Sequence, residues 1–410
     1  MNHRVVEIKV HGKRTKMLLR DDGMPSFYPN LFKTNEYARR ALSTQEKALR
    51  AIALLEEFLI YESIDLEERL MKRPSEGLTD QEISRLVVDA AFKRETLDKK
   101  YSGVRLLDSA IEYVEGPHVN QRLDFIREYL KFLYQTLADE ASRYTLSAQV
   151  EKSLNRKIKS AKPAWKKTKV AQMKGLDTEQ RNRLRAIAHY DSEENPFTTE
   201  ATRLRNYIIV LLGMECGLRR SEMLLLKGND IDYREREIIV RALTSDIEDP
   251  RVRAPGFKTA ERVIRISEDL VFAIKDYVEK HRSRAAKARK HPFLLVSHRK
   301  YEGSPVSVGG LDSLLSQLAS VEPALKGVTL HTLRHDCVYT LLESERERLD
   351  KLTPEDRTTW IQNVLTWTFG WSPTSPMPQL YGAKFWHEEA NRGMDERARH
   401  FADLLESDDL

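Results

Sequence analysis

The stretch Gly217-Leu218-Arg219-Arg220-Ser221-Glu222 closes the longest apolar run of the chain, residues 207–218. That run extends a helix starting near Glu200. Gly217 can end it, because glycine enters the left-handed region of a helix terminus without a Cβ penalty. Arg219 then falls at the start of the next helix, where unpaired N–H groups and the helix dipole favour an anion. Glu222 lies within one turn and can hold the guanidinium. Taken alone, the pattern is also that of a surface Arg–Glu pair.

Downstream, strand-like runs occur at 237–243, 262–266 and 293–296, with Pro250, Pro255 and Gly256 in the turns between them. This predicts a three-stranded sheet inside a helical domain. Upstream, Asp177-Thr-Glu-Gln180 is a capping box for a new helix. Further upstream, Ser43-Thr-Gln-Glu46 is another, and Leu49, Ile52, Leu55 and Leu59 follow at helical spacing, as do Leu123, Ile126, Leu130, Leu133 and Leu137. Such stripes are core, and residues 38–150 read as a compact bundle of four or so helices. The first twenty residues read as a hairpin turning at His11-Gly12-Lys13, either a decoration or a small DNA or subunit contact. The fold class is therefore mainly α with a small antiparallel β-sheet.

Composition agrees. Charged residues form 32% of the 410 and apolar ones 40%, with 13 Phe, 15 Tyr and 5 Trp to fill cores, so wholesale disorder is excluded. Only 17 glycines suit a helical chain. The length suits two or three domains. Two cysteines, Cys216 and Cys337, make no disulfide framework or metal-ligand spacing. No apolar run is long enough to span a membrane, and the N-terminus has no signal-like apolar core. A cytoplasmic protein is the expectation.

The net charge of +5 conceals its distribution. Residues 151–170 carry eight Lys and Arg, among them Lys157, Lys159, Lys162, Lys166, Lys167 and Lys169, against Glu151 alone. Pro163 interrupts any helix there. The segment is either a solvated linker or a strap along a phosphate backbone, where each neutralised phosphate steepens the salt dependence by about 0.9 log unit. Arg282 and Arg284 open a second basic cluster.

Three more segments carry chemistry. Gly256-Phe-Lys258-Thr259-Ala-Glu-Arg262 puts a lysine between two strands, a solubilising charge unless the hairpin leans over a substrate. Thr329-Leu-His331-Thr-Leu-Arg334-His335 starts a helix, with an imidazole and a guanidinium on one face. Arg334 can grip two phosphate oxygens in a fork, and His331 can exchange a proton near neutral pH. Phe369-Gly370-Trp371 precedes a proline-rich run that leads to Tyr381, while Tyr339 lies too far round its helix from Arg334 and reads as core.

In this order the four segments resemble the tyrosine recombinase (phage integrase) family: an Arg in a GLR-x-S-E setting, a hairpin Lys, H-x-x-R-H, G-H or G-W, then Tyr. By motif the resemblance covers about residues 175–400. It implies a helical core-binding domain (38–150) joined by a basic linker (151–175) to an α+β catalytic domain (176–410), behind an N-terminal extension (1–37). It implies that Arg219, Arg334 and Trp371 meet charge on a scissile phosphate, that Tyr381 attacks to form a 3′-phosphotyrosyl bond, and that Lys258 protonates the leaving 5′-oxygen. His331 would help move the tyrosine proton, with Glu222 and His335 in support. No metal or cofactor is implied.

The implied function is integration or excision of a mobile element. The implied partners are double-stranded DNA, three further copies in a tetramer, and accessory DNA-bending or directionality proteins, at the nucleoid. The lysines of 151–170, Arg282 and Arg284 would bind DNA. A type IB topoisomerase shares this chemistry, and a non-catalytic DNA-binding regulator could share the fold. The filled catalytic positions favour an enzyme. Two intervals are stretched relative to a plain integrase, at 244–254 and 343–357.

Overall fold

The computed structural model describes residues 3–11, 13–104, 111–160, 175–242, 249–251, 255, 260–299 and 301–407. The chain divides into two compact units, Met1–Lys167 and Thr168–Leu410.

The first unit opens with strands β1 (Arg4–Val10) and β2 (Lys13–Leu19), paired antiparallel with Val6 opposite Met17. Helices α1 (Phe27–Tyr37), α2 (Leu42–Tyr61), α3 (Leu66–Lys72), α4 (Asp80–Ala90), α5 (Arg94–Tyr101), α6 (Gly116–Leu137) and α7 (Glu140–Ser160) follow. Both sequence stripes lie in the core. Leu49, Ile52 and Leu55 of α2 are fully buried, and α6 buries Leu123, Ile126, Leu130 and Leu133, with Leu137 half-buried. Leu49 and Ala53 also seat the hairpin through Leu18.

Several local expectations change. The bundle has more, shorter helices than four, because α3, α4 and α5 are separate pieces between the long α2 and α6. Helix α1 occupies the end of the segment read as hairpin extension. Helix α2 starts at Leu42 with no side-chain cap, so Ser43 and Glu46 lie inside it rather than boxing its end. Glu46 instead pairs with Lys16 of β2 and Arg50, a tertiary use of a local motif. Helix α7 carries the backbone through residue 160, so the first ten residues of the basic segment are helical.

The second unit contains α8 (Thr178–Ala188), α9 (Glu200–Met214), α10 (Arg220–Leu225), α11 (Glu268–Asp276), α12 (Val308–Val321), α13 (Leu330–Ser344), α14 (Arg346–Asp350), α15 (Pro354–Phe369) and α16 (Met377–Ser407). The Asp177–Gln180 capping box forms as read. Strands β3 (Ile231–Asp232), β4 (Glu237–Val240) and β5 (Arg262–Arg265) make an antiparallel sheet in that order, with Ile238 opposite both Ile231 and Ile264. The sheet has three strands, but not the three expected. Residues 293–296 are not a strand. Phe293 and Val296 make isolated bridges to Lys227 and Pro305, and Phe293, Leu294, Leu295 and Val296 are simply core.

Helix α9 is the axis of this unit. Ile208 to Leu212 are buried on every side, each contributing about 2 kcal/mol of apolar burial, and α9 packs against both α11 and α13. Gly213 permits the close approach of α13, since a Cβ there would lie 2.8 Å from Leu333 Cδ1. Asp336 of α13 is buried and accepts hydrogen bonds from Arg181 Nε (3.0 Å), Arg181 Nη2 (2.8 Å) and Leu176 N (3.0 Å), which pins the start of α8 to α13.

One half-buried histidine predicts a pH response. His298 Nε2 and the Tyr277 hydroxyl share a 3.0 Å hydrogen bond, and burial, then Arg205 and His281, hold the imidazole down at about 4. In the unfolded chain it titrates near 6.5. As pH falls from 6.5 toward 4 the unfolded chain therefore takes up a proton that the folded chain refuses, and stability falls across that window. The urea midpoint should drop between pH 7 and pH 5, and drop less in His298→Gln.

Candidate active site

The site residues come from four places: the turn between α9 and α10, the strand β5, the first turn of α13, and the segment from the end of α15 to the start of α16. Thr329 caps α13 through a hydrogen bond from Thr332 N, as the sequence suggests. This places His331, Arg334 and His335 on its first turns. Gly370 ends α15 at φ +61°, and Trp371 follows, its N–H reaching Thr366 O at 3.1 Å. At Gly217 φ is +56°, and a Cβ would fall 2.5 Å from Phe369 Cε1. Only glycine lets the α9–α10 turn rest on the end of α15.

Three guanidiniums converge on one carboxylate and on that helix end. Glu222 is fully buried. It accepts from Arg219 N at 2.8 Å, from Arg219 Nη1 at 3.4 Å, and from Arg262 Nη1 and Nη2 at 3.2 and 2.9 Å. Arg334 Nη1 stands 4.0 Å away. The last carbonyls of α15 accept the rest. Phe369 O takes Arg219 Nη1 (3.2 Å) and Arg334 Nη2 (3.0 Å), and Thr368 O takes Arg262 Nε (2.9 Å). Arg334 Nη1 also donates to Gly217 O at 2.5 Å. Thr368 O and Phe369 O lack intrahelical donors and sit at the negative end of the α15 dipole, which suits cations. Burial, then the neighbouring Arg219, push Arg334 down to about 9, so it remains charged at neutral pH.

Tyr381 is on α16 and 4% exposed. Its ring stacks on Trp371 at 5.4 Å and 16°, and Trp371 stacks on Phe369 at 5.4 Å and 29°. The Arg334 guanidinium lies over both lower rings, 5.4 Å from Trp371 and 5.0 Å from Phe369. The Tyr381 hydroxyl and His335 Nδ1 share a hydrogen bond. Burial pushes the phenol up to about 12, although Arg334 and Arg219 pull it the other way. His331 packs edge-on to His335, centroids 4.1 Å apart, and is held below its ordinary value by burial and by Arg334 and Arg219.

The structure thus brings Arg219, Glu222, His331, Arg334, His335, Trp371 and Tyr381 together. Lys258, Lys162, Lys166, Lys167 and Lys169 lie outside the described residues. Lys157 and Lys159 are positions of the last turns of α7. Arg282 donates to Phe293 O, Ala288 O and His291 O, so its guanidinium ties down the loop that follows it. Arg284 is exposed. Among the site histidines it is His335 that meets the phenol, whereas the sequence reading assigns the phenolic proton to His331. Arg262 is the residue that reading passes over. It closed the quoted 256–262 segment, but its pairing with Glu222, forty positions away, has no local signal.

Residues 174–348 match the model of the phage integrase family. That segment is similar to the phage integrase family. The matched segment contains the α9–α10 turn and the first turns of α13, while Trp371 and Tyr381 lie beyond it. Tyrosine recombinase XerD of Halalkalibacterium halodurans is 29% identical over 159 residues, 39% of this chain and 46% of that one. Tyrosine recombinase XerA of Thermococcus kodakarensis is 32% identical over 145 residues, 35% of this chain and 43% of that one. The match therefore spans under half the length of these curated relatives. Among solved structures, the Tn1549 transposon integrase in complex with transposon right end DNA aligns over 90% of this chain and 99% of its own. Its TM-score is 0.48 and its identity 16%.

Proposed function

We propose that this chain is a site-specific DNA recombinase that breaks and rejoins strands through a 3′-phosphotyrosyl intermediate, in integration or excision of a mobile element. The observation that supports it most is the single cluster of an oxygen nucleophile, a histidine on its hydroxyl and two arginines beside it.

In this reading Arg219 and Arg334 meet the non-bridging oxygens of a scissile phosphate, and an arginine fork matches that geometry. Tyr381 attacks the phosphorus in line. His335 takes the phenolic proton, with His331 as the second member of the imidazole pair. The leaving 5′-oxygen takes a proton from Lys258, and the phosphotyrosyl bond conserves the energy of the broken link. A 5′-hydroxyl then attacks the phosphotyrosine, releases Tyr381 and restores a phosphodiester. The partners proposed are duplex DNA, engaged in part by Arg284 and the basic segment 151–170, and further copies in a tetramer on two sites.

A nicked duplex that loses its 5′-hydroxyl fragment on cleavage tests this. The protein should become covalently attached to DNA and migrate as an adduct on a denaturing gel. Binding without any adduct, on duplexes tiled across the DNA flanking its gene, would overturn the strand-transfer reading.

A further inference from the structure

A buried carboxylate surrounded by three guanidiniums raises the question of which one it neutralises. Glu222 needs a partner, because an isolated buried charge is strongly unfavourable. If it neutralised Arg219 or Arg334, that arginine would have less charge to offer a phosphate.

The geometry resolves the competition. Arg262 meets both oxygens of Glu222 in a fork, at 3.2 and 2.9 Å, while Arg219 Nη1 has one contact at 3.4 Å and Arg334 Nη1 stands at 4.0 Å. Arg262 is itself held fast. Its Nε donates to Thr368 O, its backbone is opposite Val240 in the β4–β5 ladder, and its side chain is 3% exposed. All three of its guanidinium nitrogens already donate to protein acceptors, Nη1 and Nη2 to Glu222 and Nε to Thr368 O. The side chain of Arg219 is 32% exposed, the most open of the three.

We propose that Arg262 is a positioning residue that occupies Glu222, so that Arg219 and Arg334 remain available to a scissile phosphate. This rests on the strand-transfer reading. Without Arg262, Glu222 recruits Arg219 as its bidentate partner and draws it away from the phosphate.

The test compares full-length Arg262→Gln, Arg262→Lys and Glu222→Gln/Arg262→Gln with wild type, with near-UV circular dichroism as the check on folding. Adduct formation is timed on the nicked duplex and on the same duplex with a methylphosphonate at the scissile position, which lacks one negative charge. Arg262→Gln should slow adduct formation about 30- to 100-fold on the phosphodiester and about threefold on the methylphosphonate, with duplex affinity within about twofold of wild type. The double variant should recover about tenfold of that loss, because no carboxylate is left to compete for Arg219. Arg262→Lys, which keeps the charge but cannot fork, should be intermediate, and it carries the comparison where the Gln variant does not fold.

Equal losses on the two substrates, or a double variant as slow as Arg262→Gln, would reduce Arg262 to packing and overturn the inference. So would wild-type rates in Arg262→Gln or, where that variant does not fold, in Arg262→Lys. An adduct from no protein, wild type included, overturns the strand-transfer reading and this inference with it.

Discussion

Replacing Tyr381 with phenylalanine should leave the protein folded and able to bind DNA, yet unable to form a covalent adduct. The substitution removes one oxygen. The ring keeps its stack on Trp371 and its place beside His335, and the lost hydrogen bond costs about 1 kcal/mol of stability. The rate of adduct formation should fall by at least about 10⁴-fold, the scale of removing a nucleophile that works as a unit with its base. The adduct gel and a filter-binding titration on one duplex separate the two effects. An adduct of undiminished yield from the phenylalanine variant would show that another side chain attacks.

Arg334→Met should cost nearly as much activity while sparing the fold. Arg334 is 3% exposed and lies among the positive charges of Arg219 and Arg262, which together with burial push it down to about 9. Methionine has a similar length and can lie over the Trp371 and Phe369 rings. It relieves that repulsion and leaves Gly217 O without its guanidinium donor, while Phe369 O keeps Arg219. These effects oppose each other, so the urea midpoint should change by no more than the equivalent of about 1 kcal/mol. Adduct formation should fall about 10³-fold, the scale of losing one preorganised donor to developing charge. If stability falls by several kcal/mol as well, Arg334 is a strut between α13 and α15 before it is a phosphate ligand.

The docked tyrosine has a physical consequence. A phenol only 4% exposed, pushed up to about 12 and bonded to His335, is a protonated and shielded nucleophile. Its attack on a phosphate requires that the hydroxyl leave its present burial and give up its proton, so DNA engagement and nucleophile release belong to one step in the proposed cycle.

The motifs were legible because each is local. Gly217 is readable as a helix end and Thr329 as the start of a helix, since backbone conformation at such points depends on a few adjacent residues. The apolar stripes of α2, α6 and α9 are legible for a related reason: helical period alone decides which side chains share a face. Other expectations failed where a long-range contact outweighed the local signal. Glu46 has the spacing of a capping residue, yet it pairs with Lys16 across the hairpin. Residues 293–296 have a strand's composition, yet they pack as core between two isolated bridges, because the short β3 supplies the strand that pairs with β4.

The chain's order of residues was enough for the helical class, the small sheet and the basic segment, because period, caps and turn chemistry are read along the chain, while the seven described side chains that converge were singled out by the resemblance of their motifs to one family's pattern. It could not decide which imidazole meets Tyr381, nor which arginine Glu222 neutralises. His331 and His335 lie on one face of α13, and three arginines have the same charge and reach. Choosing among them takes the packing of α16 against α13 and of β5 against the end of α15, and those contacts join residues 46 and 106 positions apart.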